Sequence, residues 1–188
     1  MTFDQFYDKL NYVNASRENR LKYANMVLND MDLFPKLVEI LFMVNDKVSC
    51  HAAWVFEFVC IENIYTIVPH LDTFSKNIKH IKFDSAIRPV SKICSLIAAE
   101  ATSKTLNPIK TLITPKQKEH IVEICFDWMI SDQKVAVKVH AMETLFLLGK
   151  DSSWVHPELI QILEQDFLSQ SAGYKSRAKR ILKRIKKA

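Results

Sequence analysis

The stretch NDKVSCHAAWVFEFVC, from Asn45 to Cys60, gathers side chains from which a reactive site could be built: two thiols, an imidazole, an indole and a carboxylate. A thiolate–imidazole metal centre wants ligands at C-x-x-C or H-x-x-x-H spacing, and the chain has neither. Cys50 and His51 are neighbours, which on a helix turns their side chains about 100° apart. The six histidines, at 51, 70, 80, 120, 140 and 156, are scattered and suit surface or inter-helix polar roles. Trp54 and Glu57 lie one helical turn apart and can share a face. Asp127 and Trp128 are adjacent and cannot. Trp54, Trp128 and Trp154 are therefore expected to pack a core. No catalytic residue, metal ligand or cofactor is assigned.

Charge carries a sharper signal. The tail YKSRAKRILKRIKKA contains Lys175, Arg177, Lys179, Arg180, Lys183, Arg184, Lys186 and Lys187, and no acid. Without those eight, 18 basic residues face 21 acidic ones, a balance of −3 against the +5 of the full chain. Tyr174, Ala178, Ile181 and Ile185 keep an apolar stripe through the tail, so a docked basic helix over residues 174–187 is expected. Two roles stay open for it. It is a solubilising terminal cap, or a docking site for nucleic acid or an acidic protein surface. Membrane-surface binding fits less well, because the apolar stripe lacks Trp and Phe. Lys179, Arg180, Lys183 and Arg184 are expected to be exposed.

The elements that position these groups are helices. Only Gly149 and Gly173 occur in 188 residues, where average usage gives about 13, and sheet turns and phosphate-cradling loops consume glycine. A Rossmann or P-loop protein is excluded on that ground, and no segment has the alternation of a strand. Thr2 with Gln5, and Thr114 with Pro115 and Gln117, form capping boxes. Gly149 is expected as a left-handed C-cap. The start, MTFDQFYDKL, carries Asp4 and Asp8 and no basic region, so no signal peptide is expected. No apolar run approaches the ~18 residues of a membrane span. Cys50, Cys60, Cys94 and Cys125 lie on apolar segments without close pairing, as reduced core thiols of a cytoplasmic protein would.

A repeat organises the chain. Val48, Ile87, Val135 and Tyr174 stand 39, 48 and 39 residues apart. Three residues before each stands a good N-cap type: Asn45, Asp84, Asp132 and Ser171. Four and seven residues after come Ala52, Ser91, Val139 and Ala178, then Val55, Cys94, Met142 and Ile181. These offsets trace one face of a helix, and Ala52, Val55, Cys94, Val139, Met142 and Ile181 are expected to be buried. The longer interval accommodates a loop-like insertion from Ser103 to Ile113. Each unit also has a preceding helix (FPKLVEILFMV, IVPHLDTFSKNI, TPKQKEHIVEICFDWMI and HPELIQILEQDF), so about ten helices in antiparallel pairs are predicted.

The period, and the cap-x-x-Val opening of each second helix, resemble HEAT and armadillo-type repeats over roughly residues 32 to 187. DSAIR, from Asp84 to Arg88, is closest to the HEAT signature, with Arg88 where that family often carries Arg. The resemblance implies an all-α, right-handed α-solenoid of HEAT-like antiparallel helix pairs, a single domain over 1–188. It implies a non-enzymatic binding or scaffold module, its partner another protein, or nucleic acid through the basic C-terminal helix. HEAT-like DNA alkylation-repair glycosylases set aromatics and an acidic residue in a concave cleft, which makes nucleic-acid binding or alkylation repair the alternative. LNYVNASRENRLKYANMVL and AAWVFEFVC are also similar to short bacterial helical proteins that carry the label adenylosuccinate lyase. That label implies a Ser on a mobile Gly/Ser/Met-rich loop with His partners, a loop for which this sequence has no counterpart.

Overall fold

The computed structural model describes residues 1–187, and its regular structure is all helix: eleven α-helices and three short 3-10 segments, with no strand among the described residues. The chain divides into two compact units, Met1–Ile93 and Cys94–Ala188.

The first unit holds α1 (Phe3–Leu10), α2 (Arg17–Asn29), α3 (Leu33–Leu41), α4 (Val48–Glu62), α5 (Leu71–Asn77) and the start of α6 (Asp84–Ala101). Its organising element is α4, which packs against α1, α2 and α3. A helix with neighbours on several sides must be apolar nearly all round. Accordingly Ala52, Ala53, Val55, Phe56 and Val59 are fully buried, and the two alanines let neighbouring helices come close. An aromatic stack anchors this core: the Phe56 ring centroid lies 5.3 Å from Phe34 and 6.0 Å from Phe74. The chain reaches α5 through a 3-10 segment, Ile64–His70, with Pro69 next to its end.

Between α3 and α4, the Tyr7 hydroxyl donates to Asp46 Oδ2 at 2.6 Å, and the Val48 N–H donates to Asp46 Oδ1 at 3.0 Å. The Tyr7 bond, then the Val48 N–H, hold the Asp46 carboxyl below the usual range, and the bond to Asp46 raises the Tyr7 pKa. A depressed carboxyl contributes stability above its unfolded pKa of about 4, lost as pH falls through the folded value. A raised phenol contributes stability below about pH 10, lost as pH rises through its folded value. Tyr7→Phe should therefore lower unfolding stability at pH 7 by a deficit that shrinks as pH falls toward 3, measured by urea denaturation. An equal deficit at both pH values would contradict the linkage.

The second unit holds the end of α6, then α7 (Pro108–Leu112), α8 (Pro115–Ile130), α9 (Val135–Leu148), α10 (Val155–Asp166) and α11 (Ala172–Ile185). Here α9 is central and packs against α8, α10 and α11. Ala141, Met142 and Leu145 are fully buried on it. Both predicted capping boxes are present, Thr2 with Gln5 and Thr114 with Gln117.

Four local expectations are corrected. Of the repeat-register caps Ser171 caps with its side chain, accepting from the Tyr174 N–H. Asp46 rather than Asn45 takes the Val48 N–H, Asp84 is the first residue of α6, and α9 starts after Lys134 with no side-chain cap. Val139 is half-buried, whereas Ala52, Val55, Cys94, Met142 and Ile181 are fully buried. The insertion at 103–113 is not all loop: Asn107 caps α7, its Oδ1 accepting from the Lys110 N–H while its Nδ2 donates to the Glu100 carbonyl. Gly149 has φ −70° and ψ −9°, so it is right-handed. Its smallness has another cause, since a Cβ there would sit 2.6 Å from His156 Cδ2 and 2.7 Å from Val155 Cγ1.

Candidate functional site

The basic tail forms α11, and its apolar stripe seats it: Tyr174, Ala178 and Ile181 are fully buried and Ile185 is half-buried. Lys179, Arg180, Lys183, Lys186 and Lys187 are exposed, while Lys175, Arg177 and Arg184 are half-buried. Arg184 is thus a correction to the expected exposed set. Its Nη1 donates to Glu143 Oε1 of α9 at 2.7 Å, and its guanidinium lies 3.9 Å from the Phe146 ring centroid. Arg177 Nη1 donates to the other Glu143 oxygen at 3.3 Å. One carboxylate therefore ties two of the eight cations to the body of the unit. Lys179 stands 5.6 Å over Phe167, close enough for a weak cation–π contact that leaves its charge in water.

The reactive-looking groups of the opening stretch are mostly packing. Cys60, Cys94 and Cys125 are at most 1% exposed and Cys50 is 9% exposed. Burial pushes the Cys60 thiol far up, and burial followed by the neighbouring Cys125 does the same to Cys94. Burial also raises Cys50. Thiolate is the reactive form, so a water-soluble disulfide reagent at pH 8 should leave Cys60, Cys94 and Cys125 unlabelled in the native protein and label all four after denaturation. Rapid native labelling of two or more thiols would contradict this packing. Among the described residues no group of three or more His, Cys, Asp or Glu is placed to hold a metal ion. Trp128 is in the core, but Trp154 is 52% exposed and stacks on Phe126 at 5.4 Å, outside the core expected for it.

Trp54 is different. It is half-buried, donates from Nε1 to the Ser85 carbonyl at 2.9 Å, and carries the Arg20 guanidinium 4.6 Å above its ring. One turn on, Glu57 is 6% exposed and its Oε2 accepts no hydrogen bond. Arg20 Nε, buried alongside, donates none. Desolvation lowers the Arg20 pKa, the Glu57 charge raises it and Arg88 lowers it again. Around them opens a pocket of about 420 Å³ between α2, α4 and α6. Arg17 and Arg20 reach it from α2, Glu57, Phe58 and Glu62 from α4, and Arg88 and Lys92 from α6. The helices make this convergence simple, because Arg88 with Lys92 and Phe58 with Glu62 are i, i+4 pairs. The Trp54–Glu57 spacing was visible in sequence; the four cations were not, since nothing local links α2 to α6.

No single helix among the described residues is long and apolar enough to cross a membrane. Compared with protein families, curated proteins and solved structures, the chain matches none.

Proposed function

We propose that this chain is a non-enzymatic binding module, a right-handed solenoid of HEAT-like antiparallel helix pairs, that docks an acidic protein surface on the outer face of α11. The repeat reading is supported by element order: α3 with α4, α5 with α6, α8 with α9 and α10 with α11 fall where the 39- and 48-residue spacing puts them. It is also supported inside each unit, where α3 packs on α4, α8 on α9 and α10 on α11. Stacked helix pairs bury a face that one pair cannot bury alone.

The observation that carries the binding role is the outward charge of α11. Tyr174, Ala178 and Ile181 of its apolar face are buried in the second unit, while Lys179, Arg180, Lys183, Lys186 and Lys187 project into water with no acid on the helix. A solubilising cap needs polarity of either sign, whereas a one-sign face recognises the opposite sign. Single-stranded nucleic acid is less well matched, because stacking of bases wants exposed aromatics among the cations and the single aromatic of α11, Tyr174, is buried.

The test is affinity capture from the native cell in two arms, nucleic acid intact or digested, using the natural chain and a Lys179/Arg180/Lys183/Lys186→Gln variant. A partner that survives digestion, elutes with salt and is lost with the variant supports the reading. A partner retained equally by the variant overturns it, and one lost on digestion replaces the acidic protein with nucleic acid.

A further inference from the structure

We propose that the pocket between α2, α4 and α6 is a binding site for a small hydroxylated phosphate ester, held by cations on its phosphate and by Glu57 on its hydroxyl. Charge fixes the first half of that chemistry. The wall carries Arg17, Arg20, Arg88 and Lys92 against Glu57 and Glu62, a surplus of two positive charges that suits a dianion. Arginine in particular presents a fork of donors matched to phosphate oxygens. Arg20 is already oriented, because its guanidinium rests on the Trp54 ring, and that ring is pinned through Nε1 to the Ser85 carbonyl.

The second half comes from the unmet hydrogen bonds. A buried carboxylate oxygen without a donor is costly, and so is a buried guanidinium N–H without an acceptor. Glu57 Oε2 and Arg20 Nε are both in that condition, on two residues that line one pocket. A ligand that accepts from Arg20 and donates to Glu57 satisfies both at once. A bare anion satisfies only the first. Hydrogen phosphate does both with one group, and a sugar phosphate does both with its phosphate and a ring hydroxyl.

Size separates these two. About 420 Å³ falls within the range of small-molecule sites, roughly 300–1,000 Å³, and is more than one tetrahedral ion fills. Leu21, Phe58 and Ile61 line the rest of the wall and suit the carbon frame of an ester. Backbone phosphodiesters fit poorly, being monoanions against a wall with a surplus of two positive charges.

The experiment titrates the full chain with ribose 5-phosphate, inorganic phosphate and sulfate at matched ionic strength, following amide NMR shifts of α2, α4 and α6. Sulfate has the charge and shape of hydrogen phosphate but no hydrogen at neutral pH. Ribose 5-phosphate should bind at least about tenfold more tightly than sulfate, the size of one hydrogen bond to a charged group. Glu57→Gln, whose amide can donate to sulfate, should bring the two within about twofold. Arg17→Gln with Arg88→Gln, both exposed positions, should weaken every anion about tenfold or more without altering the helical signal. If Glu57→Gln does not fold, the Arg17/Arg88 variant and the sulfate comparison still decide the matter. Sulfate binding as tightly as ribose 5-phosphate to the natural chain would overturn the proposal. So would the absence of saturable shifts up to about 10 mM ribose 5-phosphate, or tighter binding of a single-stranded oligonucleotide through the same residues.

Discussion

Changing Lys179, Arg180, Lys183 and Lys186 together to glutamine is expected to flatten the salt dependence of polyanion binding and leave the helical fold in place. Of the eight cations of the tail, Arg177 and Arg184 are held by Glu143, which leaves six to face a partner. If each meets one phosphate of a duplex DNA probe, log K should fall against log salt with a slope of roughly −5, because each neutralised phosphate releases condensed counterions. Affinity would then drop about 10³-fold between about 50 and 200 mM salt. With only Lys175 and Lys187 left, the slope should be near −2 and the drop about tenfold. The fold should survive, since the four changed residues are exposed and the Tyr174, Ala178 and Ile181 seat is untouched. Arg177→Gln with Arg184→Gln is the contrasting variant. It removes the Glu143 pairs and the Phe146 contact, so it should lower stability and barely change the slope. Equal slopes for the natural chain and the quadruple variant would refute α11 as the docking face. Fluorescence anisotropy at four or five salt concentrations is sufficient to measure both.

Part of this is legible in the sequence alone, and the boundary is physical. Tyr174, Ala178 and Ile181 recur at helical spacing, and a helix period depends on nothing outside the helix. The capping boxes at Thr2 and Thr114 were legible for the same reason, being closed within three residues. Glu143 was not legible as the partner of Arg177 and Arg184, because 34 and 41 residues separate them and only packing of α9 on α11 brings them together. The same limit hid the pocket between α2, α4 and α6. Glu57 stood out beside Trp54, but its unsatisfied oxygen and the cations around it exist only once α2 and α6 flank α4. Gly149 shows a subtler failure. A glycine after an apolar helix suggests a left-handed cap, yet here the residue is small because His156 and Val155 close on its Cα. Val139 departs for another reason: the repeat register transfers a face from helix to helix, but α9 has neighbours on several sides, and Val137 and Ala141 are buried beside the register positions Met142 and Leu145 while Val139 is half-buried.

The largest stability effect is expected from Phe56→Ala. Phe56 lies on α4, is fully buried, and stands between Phe34 at 5.3 Å and Phe74 at 6.0 Å, both themselves fully buried. Truncation removes the transfer free energy of the ring and leaves a cavity that three packed helices close only partly, a loss of about 3–5 kcal/mol for Phe→Ala. The two ring pairs fall within that figure, each such pair being worth roughly 0.5–1.5 kcal/mol beyond its area. Against a typical total of about 5–15 kcal/mol, the change consumes a large share of the stability of the chain. Phe58, two residues on, is half-buried on the pocket wall, so Phe58→Ala should cost distinctly less. Leu168→Ala, at 87% exposure, should fall within about 0.5 kcal/mol of the natural chain. Urea denaturation followed by far-UV circular dichroism would rank the three. A Phe56→Ala loss no larger than that of Phe58→Ala would mean that α4 is not the centre of the first unit, and the pocket built on its outer face would lose its rigid support.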